Sequence, residues 1–304
     1  MINRSKPFAS LAAVVILAAC GSGGEGGGSG GATGSGGATG GGGTPTPPDP
    51  PPVLDPFDDS NAISRTTRGA NFQIGASGPD IDQTVTITLD SGFLSGPVNG
   101  TVEIFGTSLT ITNGGGTLNG QDVRVEIDPS AAGGFAVPVS VFSYGPDLDS
   151  PAVASGETAI VVGNETSEAA LSAQPTGSVQ YQGSFAGNGV LQRGGNAELA
   201  ELDGDISITV SFGATDQAST TIDAGYTPNG LSERSVRLVL NNAPIAGNGF
   251  SGTLTCTTSN CSDESQIDAT FYGPEAEEIG GVVAIEFERS GEIFEGAGAF
   301  VISQ

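Results

Sequence analysis

From about residue 57 onward, apolar and polar side chains alternate with a period of two, and Gly, Asn, Asp and Pro break the pattern at short intervals. Thr84-Val85-Thr86-Ile87-Thr88-Leu89, Ser108-Leu109-Thr110-Ile111-Thr112 and Asp205-Ile206-Ser207-Ile208-Thr209-Val210 are representative. Strands put successive side chains on opposite faces, so each run predicts a strand with one buried and one solvated face. Short runs rich in Val, Ile, Thr and Phe, with frequent turn signals, indicate a sandwich or a barrel. A helical period persists nowhere for long. Ser167 to Ala173 is the best short helix besides a single turn expected over 274–279. The chain is read as all-β.

A polar, turn-rich stretch from Gly163-Asn164-Glu165-Thr166 to Ala173-Gln174-Pro175-Thr176-Gly177 divides the pattern. It suggests an N-terminal β domain over 57–173 and a second domain over 174–304. The second holds about eight strands, near 178–185, 205–212, 218–225, 234–241, 249–256, 265–272, 281–288 and 296–303. Eight strands are enough to close a barrel whose interior side chains just fill it, and closure removes exposed edges. Thr, Ser, Asp and Arg on one face of many strands predict a water-soluble barrel, not one with an apolar band facing lipid.

The two ends carry different information. Arg4 and Lys6 precede an apolar run, Phe8 to Ala19, that is too short to span a bilayer. It ends in Leu17-Ala18-Ala19-Cys20, which resembles the bacterial lipobox. The resemblance implies a signal peptide over 1–19, lipidation of Cys20, and, with Gly21 following, the outer membrane as destination. Residues 20–56 are rich in Gly, Ser, Ala and Thr and then in Pro, which cannot bury enough apolar surface to order itself. They read as a tether. Without residues 1–19, seven of the nine basic residues remain against 34 acidic ones, a formal charge of −27. Such a surface disfavours nucleic acid and anionic headgroups.

Histidine is absent from the whole chain. Ser-His-Asp and Cys-His catalysis, imidazole zinc sites and His-ligated haem are thereby excluded. No catalytic residue, metal site or cofactor is assigned. Cys256 and Cys261 bracket a short polar loop between two strands. In an exported protein the pair reads as a disulfide across a hairpin, worth about 2 kcal/mol, with redox chemistry as the alternative reading. Gly247-x-Gly249-x-x-Gly252 has dinucleotide-binding spacing but leads into a strand, so it reads as a turn and a crowded strand. Asp80-x-Asp82 and Asp147-x-Asp149 are fragments of calcium loops that lack the closing Glu. Of the four tyrosines, Tyr181 and Tyr272 fall in barrel strands, and only Tyr144 and Tyr226, beside turn residues, are accessible to a haem iron. With no His or Lys after residue 19 to favour a phenolate, and an acidic surface to repel the propionates, no specific haem binding is expected.

Residues 271–281 read Phe-Tyr-Gly-Pro-Glu-Ala-Glu-Glu-Ile-Gly-Gly. Pro274 presets a helical φ, Glu275, Glu277 and Glu278 suit the positive end of a helix dipole, and Gly280-Gly281 release the chain into Val282-Val283-Ala284-Ile285. The expectation is strand, one exposed helical turn, strand. This run resembles the sequence joining two barrel strands in the transferrin-binding-protein-B-like surface lipoproteins of Gram-negative bacteria, which usually have Asn and Leu at the positions of Glu275 and Ile279. Tyr181-Gln182-Gly183 and Gly247-Asn248-Gly249-Phe250-Ser251-Gly252 extend the resemblance over 174–304. It implies a handle-like sheet domain followed by an eight-stranded antiparallel barrel. It also implies capture of an iron-carrier protein or related solute, alongside a separate TonB-dependent receptor. A coat lipoprotein or adhesin is the other function in view. The family's basic barrel end is replaced here by Gly296-Ala297-Gly298-Ala299.

Overall fold

Alternating Val, Ile and Thr do what their spacing predicts: Val85, Ile87 and Leu89 are buried, while Thr84, Thr86 and Thr88 stand on the opposite face. The computed structural model describes residues 60–304 except 61, 74–78, 105, 119–120, 128–132, 145–153, 229–233, 259–264 and 290. The segments read as signal peptide and tether, with Cys20, Cys261, Asp147 and Asp149, lie outside the described residues.

The first sheet comprises β1 (Ile63–Gln73), β2 (Asp80–Leu89), β3 (Gly100–Ile104), β4 (Thr107–Ile111), β5 (Gly115–Leu118), β6 (Gln121–Ile127), β7 (Ala136–Tyr144) and β8 (Ala154–Gly163). Its order is β4-β3-β2-β1-β8-β7-β6-β5, antiparallel throughout. The two ends of that order are neighbours in sequence, joined by a turn at Asn113 (φ 51) and Gly114 (φ 77) that bridges Thr112 to Gly115. Positive φ at both central positions matches the right-handed twist of the flanking strands. The sheet therefore curls nearly closed around Val85, Ile87, Leu89, Val102, Val125 and Ile160.

A short helix, α1 (Glu168–Ser172), follows where Ser167 to Ala173 were expected to be helical. Ser167 caps it by accepting the Ala170 N–H at 3.2 Å, and Leu171 is buried in the core of the second sheet.

That second sheet comprises β9 (Gly177–Arg193), β10 (Asn196–Phe212), β11 (Gln217–Pro228), β12 (Arg234–Pro244), β13 (Gly249–Thr253), β14 (Thr255–Cys256), β15 (Gln266–Tyr272), β16 (Glu278–Arg289) and β17 (Glu292–Ser303). β13 pairs with β15, and β14, one residue further on, pairs with β12, so the two act as one stave. The circuit then closes with eight staves, all antiparallel. Two hairpins run longer than expected: β9–β10 reaches its tip at Gly194-Gly195 and β16–β17 at Gly291. The glycines inside them mark close approach, not strand ends. A Cβ on Gly204 would lie 2.1 Å from the Asp223 carbonyl oxygen of β11.

The inner faces bury Tyr181, Phe185, Phe212, Tyr226, Phe250, Phe271, Phe287 and Phe294 in one continuous core. Tyr226 lies 5.0 and 4.8 Å from the rings of Phe287 and Phe294. The barrel interior is thus occupied by its own side chains. A third cluster is built from both sheets: Ala70, Ala136, Ala159 and Val161 from the first meet Val282, Ala284, Ala297 and Ala299 of the barrel. Small side chains there let strands β16 and β17, which are buried on both faces, lie close beneath β1, β7 and β8.

Candidate functional site

The 273–279 segment is not helical. Gly273 (φ 87) and Ala276 (φ 59) both take left-handed backbone, and β16 begins at Glu278. A helical turn would aim its carbonyls along one axis. Here side chains from other elements take them instead. Thr166 Oγ1 donates to the Gly273 carbonyl at 2.7 Å, Gln174 to that of Glu275 at 3.0 Å, and the buried Tyr181 hydroxyl to that of Ala276 at 2.6 Å. Gln304 adds a second donor to Ala276 at 3.1 Å. The backbone of 164–166 also pairs with the end of β15, through Thr166 N–H to Phe271 O at 2.8 Å and Gly273 N–H to Asn164 O at 2.9 Å. The turn fastens the incoming linker, the first barrel strand and the C-terminus to one another.

The three glutamates do not share a solvated face as expected. Glu275 is exposed, and Glu277 folds back to accept the Glu275 N–H at 2.9 Å. Glu278 is only 6% exposed. Its carboxylate accepts the backbone N–H groups of Gly134 and, at 2.9 Å, Phe135, both from the segment entering β7 of the first sheet. A Cβ on Gly133 would sit 2.4 Å from that carboxylate, so glycine there is what lets the segment approach. Gly280 serves the same junction, because a Cβ on it would lie 2.8 Å from both the Tyr272 ring and Val161 Cγ1.

Two further polar contacts cross between the sheets. Arg68 of β1 reaches Asp268 of β15 at 3.2 Å, and burial still raises the Asp268 pKa, with Arg68 opposing. Glu157 of β8 is 2% exposed and accepts from Ser140 Oγ at 2.6 Å and from Asn188 Nδ2 of β9 at 2.8 Å. Burial pushes its carboxyl up to about 7, the two donors pull the other way, and Glu126 adds like charge.

The outer barrel face is polar and acidic. Glu201, Asp203 and Asp205 point outward from β10, and Asp223 stands opposite Asp205 on β11. Arg237 of β12 forms a two-pronged pair with Asp223, at 2.6 and 2.8 Å, holding that carboxyl below its ordinary range. Among the described residues no cluster of three or more His, Cys, Asp or Glu is placed to hold a metal ion. Asp80 opens β2, and the Asp82 side chain is outside the described set. Gly247 turns the chain at φ 64 into β13, in agreement with the turn-and-strand reading. Cys256 is half-buried on β14. Tyr226, expected to be accessible beside turn residues, is 1% exposed within the barrel, because the period of two along β11 places it inward with Ala224 and Ile222. Tyr181 and Tyr272 are buried in or beside strands as expected, and the Tyr144 side chain is outside the described set.

Sequence reasoning did not single out Glu157, Asn188 or Asp268, nor the inward role of Glu278. One signal was available: Glu157 is a lone acid leading into Thr158-Ala159-Ile160-Val161-Val162, a run apolar enough to be buried on both faces.

These features define a closed barrel with an aromatic core and a second curled sheet docked on its side. Residues 174–301 match the family model for the C-lobe and N-lobe beta barrels of Tf-binding protein B, and this segment is a barrel of that family. No curated protein matches the sequence. Among solved structures, a double mutant of transferrin binding protein B from Haemophilus parasuis Hp5 is 15% identical with a TM-score of 0.39, covering 76% of this chain and 53% of that one. The present chain thus spans about half of that protein's length. Isotype 1 transferrin binding protein B from serogroup B Neisseria meningitidis is 12% identical with a TM-score of 0.32, covering 81% of this chain and 77% of that one. HpuA from Kingella denitrificans, solved in complex with human haemoglobin, is 17% identical with a TM-score of 0.30, covering 83% of this chain and 96% of that one. The family assignment rests on the barrel match.

Proposed function

We propose that the protein is a non-enzymatic binding module, lipid-anchored through Cys20 to the outer membrane and exposed at the cell surface. It captures an iron-carrier protein or a related soluble ligand for a separate transporter, such as a TonB-dependent receptor. The observation that carries this reading is the match of residues 174–301 to the barrels of a transferrin-binding protein. The filled barrel interior supports a ligand held on the outside, on loops and strand faces, where binding residues usually sit. The acidic row on β10 and β11 favours a partner that presents basic groups. The N-terminal sequence, with its lipobox-like Leu17-Ala18-Ala19-Cys20 and a Gly- and Pro-rich tether, supports the anchoring. Cys256 is disulfide-bonded, which supports its pairing with Cys261.

The test is affinity capture from host fluid and from growth medium with the mature chain as bait, followed by mass spectrometry. Enrichment of one iron-carrying protein, with competition by the untagged chain, is the expected result. Saturable binding to intact cells or an extracellular matrix, with no soluble protein retained, would replace capture by the coat or adhesin role.

A further inference from the structure

The joint between the two sheets holds an ionisable group in an unusual place. Glu157 sits in the contact layer, on β8, with Ser140 of its own sheet on one oxygen and Asn188 of the barrel on the other. Its in-register neighbour on β7 is Phe142. Closing the joint removes this carboxyl from water, which penalises its charged form. The charged groups on the surrounding elements do not offset that. On β1, Arg65 Nε donates to the Gly163 carbonyl at 3.0 Å and Arg68 is paired with Asp268. On β6, Arg124 is paired with Glu126 at 3.6 Å. On β9, Arg193 is paired with Glu292 of β17 at 3.2 Å. The remaining described charges on β16 and β17 are themselves acidic: Glu278, bound to the first sheet's backbone, Glu286 and Glu288, and Glu295, which accepts from Gln192 at 3.2 Å.

We propose that this joint is a proton-gated contact, closed while Glu157 carries a proton, which Oε1 then donates in its hydrogen bond to Ser140 Oγ, and loosened when it ionises. The apolar layer around it supports such a device. Most residues at the contact are Ala, Val or Gly, so closure depends on close approach and offers little polar surface to offset a buried charge. Opening exposes Glu157 to water and also frees Asn188 and the faces of β16 and β17.

The sign follows from the direction of the shift. Burial holds the closed-state carboxyl at about 7, against 4.5 for a free Glu. Below the lower value both states are protonated and pH has no effect through this group. Between the two values the opened state ionises while the closed state keeps its proton, so rising pH weakens closure. Above the higher value the loss levels off. Between pH ~5.5 and ~8 the linkage amounts to about 30-fold in the opening equilibrium.

The experiment uses the mature chain carrying Ala299→Cys, a thiol placed in the contact layer where the native residue is 6% exposed. Its labelling rate, resolved by peptide mass spectrometry and divided by that of the urea-unfolded chain at the same pH, reports opening. We expect a rise of about 30-fold from pH ~5.5 to ~8, reduced to about twofold or less when Glu157→Gln is added. An equal rise in both proteins, or a flat profile in both, overturns the proposal. If Glu157→Gln does not fold, Asn188→Ala carries the test. Removing a donor to the carboxylate should move the labelling midpoint to higher pH, and an unmoved midpoint is equally fatal.

Discussion

Glu278 is the residue whose removal most directly weighs the attachment between the sheets. Its carboxylate accepts two backbone N–H groups, from Gly134 and Phe135, in a site where it is 6% exposed. Hydrogen bonds to a charged acceptor contribute about 1.5–3 kcal/mol each, and burying the carboxylate offsets part of that. Gly134 is exposed, so water replaces the lost acceptor at its N–H, whereas Phe135 is half-buried and recovers less. Glu278→Ala should therefore cost about 2–4 kcal/mol. Glu278→Gln should cost less, because its amide oxygen still serves one donor while its NH2 faces the other. Urea denaturation of the mature chain, followed by far-ultraviolet circular dichroism since the chain has no tryptophan, measures both. Gly133→Ala supplies the second arm of a cycle, since its Cβ would stand 2.4 Å from the same carboxylate. If the segment and the carboxylate act as one contact, the double variant should lose about 1–2 kcal/mol less than the sum of the singles. A Glu278→Ala midpoint indistinguishable from wild type, or strict additivity with Gly133→Ala, would refute the reasoning.

Gly280→Ala should destabilise the same junction by about 1–3 kcal/mol through contact with Tyr272 and Val161, measured by the same denaturation; a stabilised variant would mean the joint is slack. Cys20→Ser should release the protein from the membrane fraction and abolish labelling by a palmitate analogue, and retained membrane association without label would remove the anchor. A 174–304 fragment should fold cooperatively with a β-type dichroism spectrum, because the closed circuit supplies its own hydrogen bonding and core. Extending it to residue 164 should raise its melting temperature, since Asn164 and Thr166 bond the end of β15 and the turn after it.

The strand faces were legible because period-two alternation reports burial directly: each of Val85, Ile87, Leu89, Ile206, Ile208 and Val210 lies inward where its spacing put it. The ends of the long hairpins were not. Gly187, Gly189 and Gly204 fell outside the expected strands 178–185 and 205–212, yet they lie inside continuous strands where neighbouring backbones approach too closely for a side chain. The turn at 274–279 misled for a related reason. Pro274 and its glutamates carry the local preference for a helical turn, but the carbonyls are claimed by Thr166, Gln174 and Tyr181, up to 107 residues away in sequence. Partners that distant, like Gly134 for Glu278 at a separation of 144, leave no local trace.

The run of residues that carried the family resemblance in the sequence therefore serves as a fastening within the molecule. Within it, Gly273, Glu275 and Ala276 give their carbonyls to the linker, the C-terminus and the first barrel strand, and Glu278 gives its carboxylate to the first sheet. Gly280 makes room for that sheet. Every one of these groups is consumed inside the molecule, so the motif can specify how two β units are joined while leaving the ligand open. The barrel interior is likewise taken up by buried side chains, with Tyr226, Phe287 and Phe294 in mutual ring contact. For the proposed capture of a soluble ligand, the surfaces the motif leaves free include the acidic outer strands β10 and β11. Glu201, Asp203, Asp205 and Asp223 stand on exposed strand faces apart from the bonds that fasten the turn, so function there is set by the chemistry of the surface and not by the fold.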